Sequence, residues 1–156
     1  MNKFIRVTAI VGAALVALSL CLLLISIPLQ PVLGRVYMHQ DESLSFLPIF
    51  PVAAFVNLFL LLGCTVPMIF CAGKKKGGIW LEILLFVALV LVLPLISSVL
   101  STGLSVVAGN YRGSSYMAAY SIVNTISGWF TWTAGIGRAI TLVACGMSIT
   151  YKKLSK

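Results

Sequence analysis

The chain has 156 residues, 60% of them hydrophobic and only 9% charged, with a net charge of +8 and a mean hydropathy of +1.10. Soluble domains carry about 25% charged residues and have no use for apolar runs of about 20 residues, each long enough to cross roughly 30 Å of hydrocarbon, so composition excludes a soluble fold. The basic charge excludes nucleic acid as a partner on position, because the lysines and arginines cluster just outside the apolar runs, where they set topology and meet anionic headgroups.

The expected fold is all-α, an integral membrane four-helix bundle forming a single domain over 1–156, with helices over 7–27, 50–71, 79–100 and 118–150. The first span follows the basic start Asn2-Lys3-Phe4-Ile5-Arg6. It exceeds the roughly 7–15 apolar residues of a signal peptide. Leu18-Ser19-Leu20-Cys21 approaches a bacterial lipobox, but Leu20 stands where Gly, Ala or Ser is wanted, so the span is read as uncleaved. Ala13, Ala17 and Cys21 recur every fourth residue, with Gly12 and Ala14 beside them. Such a small-residue face lets helices approach closely, within the chain or against another copy.

Pro28 and Pro31 are expected to stop this helix, since each lacks an N–H and its ring clashes with the preceding turn. An outer polar loop over 28–47 follows, holding Arg35, His39, Asp41 and Glu42. His39, Asp41 and Glu42 are read as solvated loop residues rather than metal ligands. The second span carries Asn57 in its outer third and Pro67 near its end. The brief turn containing Lys74, Lys75 and Lys76 then forces the second and third spans into an antiparallel hairpin.

Pro94 interrupts the third span and frees a carbonyl that Ser97, Ser98, Ser101 or Thr102 is placed to satisfy. The segment 103–115, with Gly109-Asn110-Tyr111-Arg112-Gly113, reads as a loop. The fourth apolar region is too long for one upright span. It must tilt, begin as an interfacial segment, or break, and Gly135-Ile136-Gly137 is the expected place for a break. All four cysteines, Cys21, Cys64, Cys71 and Cys145, fall inside spans and read as packing residues.

Orientation follows from the basic residues near the span ends. Lys3, Arg6, Lys74, Lys75, Lys76, Lys152, Lys153 and Lys156 collect on one side, against Arg35 and Arg112 on the other, so both termini are expected in the cytoplasm. Lys74, Lys75, Lys76, Lys152 and Lys153 are accordingly assigned to topology and lipid headgroups. The expected location is a plasma membrane, a bacterial inner membrane on the absence of retention or lipidation signals.

The residue that bears most on function is Arg138, the only basic residue inside a span. A charge near the bilayer centre is costly and faces a bundle interior, a cavity or a partner. On the fourth span Asn124, Ser127 or Gly128, Thr131, Gly135, Arg138, Thr141 and Cys145 recur every three or four residues and so share one face. Asn57 is expected opposite Asn124, and Glu82 is the one acidic residue in any span. Arg138 then has three open destinations: Glu82, a lipid phosphate reached by snorkelling, or a substrate, ion or partner subunit. Glu82 in turn has Lys74–Lys76 as rival partners at the hairpin. The stripe of Arg138, Asn124, Thr131, Glu82 and Asn57 serves either packing or binding.

No paired carboxylates, nucleophile motif, metal-spaced ligands or phosphate-cradling glycine loop occurs, so neither enzymatic activity, a catalytic residue, a cofactor nor a metal is expected. Two functions fit. One is a non-enzymatic membrane subunit or scaffold that docks a membrane partner through small-residue faces and Arg138. The other is a small transporter or channel component, working as a homo-oligomer with the fourth-span stripe lining its path.

Overall fold

A computed structural model describes residues 2–38, 52–72, 78–110 and 114–154, and all of these except Ala72 and Gly78 are helical. In chain order they form α1 (Asn2–Met38), α2 (Val52–Cys71), α3 (Ile79–Val87), a π-helical turn over Ala88–Val92, α4 (Leu93–Asn110) and α5 (Ser114–Leu154). Four stretches are long and apolar enough to cross a membrane: Lys3–Leu29, Val52–Cys71, Ile79–Leu100 and Gly128–Leu154. They mark an all-helical, multi-pass membrane protein. Helix is the outcome because hydrocarbon offers no water to a bare N–H or C=O, and a helix satisfies both within one segment.

Three expected boundaries move. α1 does not stop at Pro28 but runs through Pro28 and Pro31 to Met38, so residues 28–38 of the expected outer loop are helical and residues 39–47 lie outside the described residues. Each proline removes one intrahelical bond, but an established helix propagates more easily than a new one nucleates, so the ladder continues past Pro28 inside the Lys3–Leu29 span and past Pro31 beyond it. Ser26 adds a local bond there, its hydroxyl donating to the Leu23 carbonyl at 2.6 Å. The segment expected as a loop from Gly103 onward is likewise helical as far as Asn110. It contains no proline, and propagating an existing helix is far easier than nucleating a new one. Finally, α5 is unbroken over 41 residues, through Gly135 and Gly137. At 1.5 Å per residue it is about 62 Å long, roughly twice the hydrocarbon thickness.

Gly137 is used for packing instead of bending. α1 lies against α5 and α2, and it meets α5 where Gly12 faces Gly137. A Cβ built on Gly137 would lie 2.8 Å from the Gly12 carbonyl oxygen, and one built on Gly12 would lie 2.9 Å from the Gly137 carbonyl oxygen and against the Thr141 hydroxyl. Only glycine on both sides permits this backbone-to-backbone approach. Thr141 turns its hydroxyl back onto the Gly137 carbonyl at 2.9 Å. The small-residue face of α1 is thus partly spent inside the chain, with Gly12 and Ala13 buried while Ala14 and Cys21 stay exposed.

The third span changes course at the π turn. A proline at position 94 clashes with the carbonyl four residues back, that of Val90, and the widened π turn immediately before it relieves the crowding, with the Leu93 N–H bonding back to the Ala88 carbonyl. Nearby, Thr102 donates to the Ser98 carbonyl at 2.9 Å. Before the turn, α3 packs on α5; after it, α4 packs on α2. The core divides accordingly. Ile5, Ala9, Met68, Leu85 and Cys145 fill the half nearest the N-terminus, and Val16, Leu23, Leu58, Leu89 and Ala134 fill the other.

The tryptophans sit outside this core. Trp80 is 82% exposed and Trp132 78% exposed, while Phe130, between Trp129 and Trp132, packs partly against the core. A variant retaining only Trp132, reconstituted in vesicles, should be quenched by brominated acyl chains and scarcely by aqueous acrylamide. Strong acrylamide quenching would place this part of α5 in water.

Candidate functional site

Two polar centres lie between the helices. The first is built where the start of α3 meets the end of α5. Gly78, at φ +85°, adopts a left-handed conformation that turns the chain into α3, and its carbonyl accepts the Glu82 N–H at 2.8 Å. Glu82 thereby falls in the first turn of α3 and Lys152 in the last turn of α5. Each charge complements the dipole of its own helix end, an effect worth about 0.3–1 kcal/mol apiece. Lys152 Nζ lies 2.8 Å from Glu82 Oε1, with both side chains buried. Ser148 donates to the same oxygen at 2.7 Å, and Cys145 Sγ meets the Glu82 carbonyl at 3.3 Å. Lys152 also reaches the Cys71 carbonyl at 3.4 Å, tying in the end of α2. Glu82 Oε2 is buried without a hydrogen-bond partner among the described residues.

This arrangement corrects two expectations. Glu82 does not pair with Arg138, because Lys152 and Ser148 occupy it; Arg138 lies 14 residues before Lys152 on α5, about 21 Å along the axis. Lys152 is also not a headgroup lysine, being 3% exposed, whereas Lys153 beside it is exposed. Lys74, Lys75 and Lys76, the other partners weighed for Glu82, lie outside the described residues. Ser148 was missed as a site residue, and Lys152 was assigned to the wrong role, although a signal existed. The three-or-four-residue step that runs through Arg138, Thr141 and Cys145 continues to Ser148 and Lys152.

The second centre is a cavity of about 360 Å³ bounded by α2, α4 and α5. It follows from the π turn: once α4 leaves α5 for α2, a gap opens between them. Arg138, Asn57, Thr131, Ser97 and Ser98 supply its polar lining, and Leu61, Leu93, Pro94 and Ala134 the apolar part. Arg138 is partly buried, and its Nε is buried with no hydrogen-bond partner among the described residues. It lies well inside the Gly128–Leu154 candidate span, at least ten residues from either end.

The cavity brings Arg138, Thr131 and Asn57 together. Asn124 belongs to α5, but its side chain lies outside the described residues. The rest of the stripe divides, with Thr141 turned to α1 and Cys145 and Ser148 turned to Glu82. Thr131 bonds its own helix, donating to the Gly128 carbonyl at 2.7 Å.

Chemically, the cavity offers a guanidinium fork suited to a planar oxyanion, together with amide and hydroxyl groups. The chain has three acidic residues, of which Asp41 and Glu42 lie outside the described residues and Glu82 is engaged. No group of three or more His, Cys, Asp or Glu side chains comes together among the described residues. The four cysteines are unpaired thiols. Compared with known proteins, the chain matches no family model, no curated protein and no solved structure.

Proposed function

We propose that this is a non-enzymatic subunit or scaffold of a plasma membrane, with both termini cytoplasmic, that docks a membrane partner at the groove around Arg138. The observation that carries this reading is the cation itself. It sits well inside a span, and no acid among the described residues is left to neutralise it. An intramembrane charge in that position is retained for a contact that forms elsewhere. The orientation is supported by the excess of lysine and arginine beside the termini and the hairpin turn. Of the small residues of α1, Ala14 and Cys21 remain exposed, with the large side chain of Leu18 exposed between them, so the docking role rests on Arg138.

A homo-oligomeric transporter or channel component is the second reading, favoured by the polar lining of the cavity. Against it, the polar residues of α5 turn towards three different neighbours and do not line one continuous path through a single chain.

Gentle extraction of the tagged protein followed by native mass spectrometry separates the two. A foreign membrane chain at fixed stoichiometry, lost on Arg138→Leu, is the expected result. A pure homo-oligomer whose assembly survives Arg138→Leu, with anion flux in liposomes that the substitution removes, overturns it in favour of transport.

A further inference from the structure

The proposed docking role leaves open what enters the groove, and the following inference rests on that role. We infer that the cavity between α2, α4 and α5 is a carboxylate site, filled by an Asp or Glu near the middle of a transmembrane helix from a different polypeptide. Depth favours this occupant. Arg138 lies at least ten residues, about 15 Å of helix, from either end of the Gly128–Leu154 candidate span, whereas lipid phosphates lie beyond the edge of the hydrocarbon. A carboxylate carried on a crossing helix arrives at the right level without its own route through the bilayer.

Charge and geometry agree with depth. The guanidinium can hold a carboxylate through two parallel hydrogen bonds, and its Nε is a buried donor with no partner among the described residues. Asn57 on the α2 wall carries an amide into the same cavity. The volume, about 360 Å³, accommodates an acidic side chain together with small neighbours from the helix that carries it. The wall opposite Arg138 exists because Pro94 and its π turn separate α4 from α5, so the same feature that opens the groove exposes the charge.

Among the described residues of a second copy the one acid is Glu82, which stands at the start of α3, buried against Lys152. The inferred occupant is therefore an acid on a heterologous helix.

The test uses the full-length protein in neutral phosphatidylcholine vesicles. Its probes are donor-labelled leucine-alanine transmembrane peptides of equal length, carrying one central Glu, one central Gln, or one Glu near an end. Energy transfer to an acceptor on the protein reports association. The central-Glu peptide should bind about ten-fold more tightly than the other two, a difference typical of one polar contact between helices. Arg138→Leu should erase the preference while leaving weak background association. Arg138→Glu should transfer it to a peptide with a central Lys.

Equal binding of central Glu and central Gln overturns the carboxylate site, as does a Glu preference that survives Arg138→Leu. Loss of the preference on adding phosphatidylglycerol assigns the site to lipid phosphate and overturns it too. These outcomes leave the subunit reading standing if a foreign chain still co-purifies with the native protein. Conversely, a clear Glu preference without any co-purifying chain would retain the site and reject the subunit role.

Discussion

Lys152→Met should lower the stability of the folded protein by about 3–5 kcal/mol, the usual consequence of removing one member of a buried ion pair. The Glu82 carboxylate is fully buried, its Oε2 has no hydrogen-bond partner among the described residues, and Lys152 and the Ser148 hydroxyl hold Oε1. Without the ammonium, that charge has no cation among the described residues and no access to water. Glu82→Met should be milder, because the four-carbon stem of Lys152 allows its ammonium to move from the last turn of α5 towards the headgroups. The double variant Glu82→Met/Lys152→Met should recover most of the loss, since a well-packed apolar pair is commonly as stable as the buried ion pair it replaces. Reversible unfolding in mixed micelles, titrated with a denaturing detergent, measures all three. A double variant as unstable as Lys152→Met would show that Lys152 acts through its contact with the Cys71 carbonyl instead of through Glu82.

Gly137→Ala should cost about 1–3 kcal/mol, the range for forcing an extra group into a closed contact. The obstacle is the backbone carbonyl of Gly12 at 2.8 Å, with Val16 Cγ2 at 3.0 Å, so no flexible side-chain end can simply swing aside. Gly135, two residues earlier on the same helix, is a matched control. A Cβ there meets nothing within 4 Å, and Gly135→Ala should be neutral or stabilising by up to about 1 kcal/mol through helix propensity alone. The same unfolding titration compares them. Equal effects of the two substitutions would mean that α1 and α5 do not cross in close contact at Gly12.

The membrane class and the four spans were legible from hydropathy, because the length of an apolar run maps directly onto bilayer thickness. Helix ends were less so. Pro28 and Pro31 are stop signals judged one residue at a time, whereas a helix already formed carries past a single lost bond because propagation is easier than nucleation. Gly135 and Gly137 read alike on paper as a weak point of the helix, and only their neighbours distinguish them, since Gly137 meets α1 and Gly135 faces open space.

The candidate site was half legible. The three-or-four-residue periodicity correctly put Thr131 and Arg138 on a common face, and the apolar context marked Arg138 as costly. Its partner was not legible, because a period along one helix says nothing about which other helix stands opposite at each level. Taken by itself, then, the amino-acid sequence determined the medium, the number of crossings and the residues too polar to face lipid, all of which depend on local composition and helical period. The tertiary structure alone decided the pairings: Glu82 with Lys152, Gly12 with Gly137, and Arg138 with a cavity. Those depend on helix register and on the redirection of α4 at the π turn, which are set by close contacts between residues far apart in the chain.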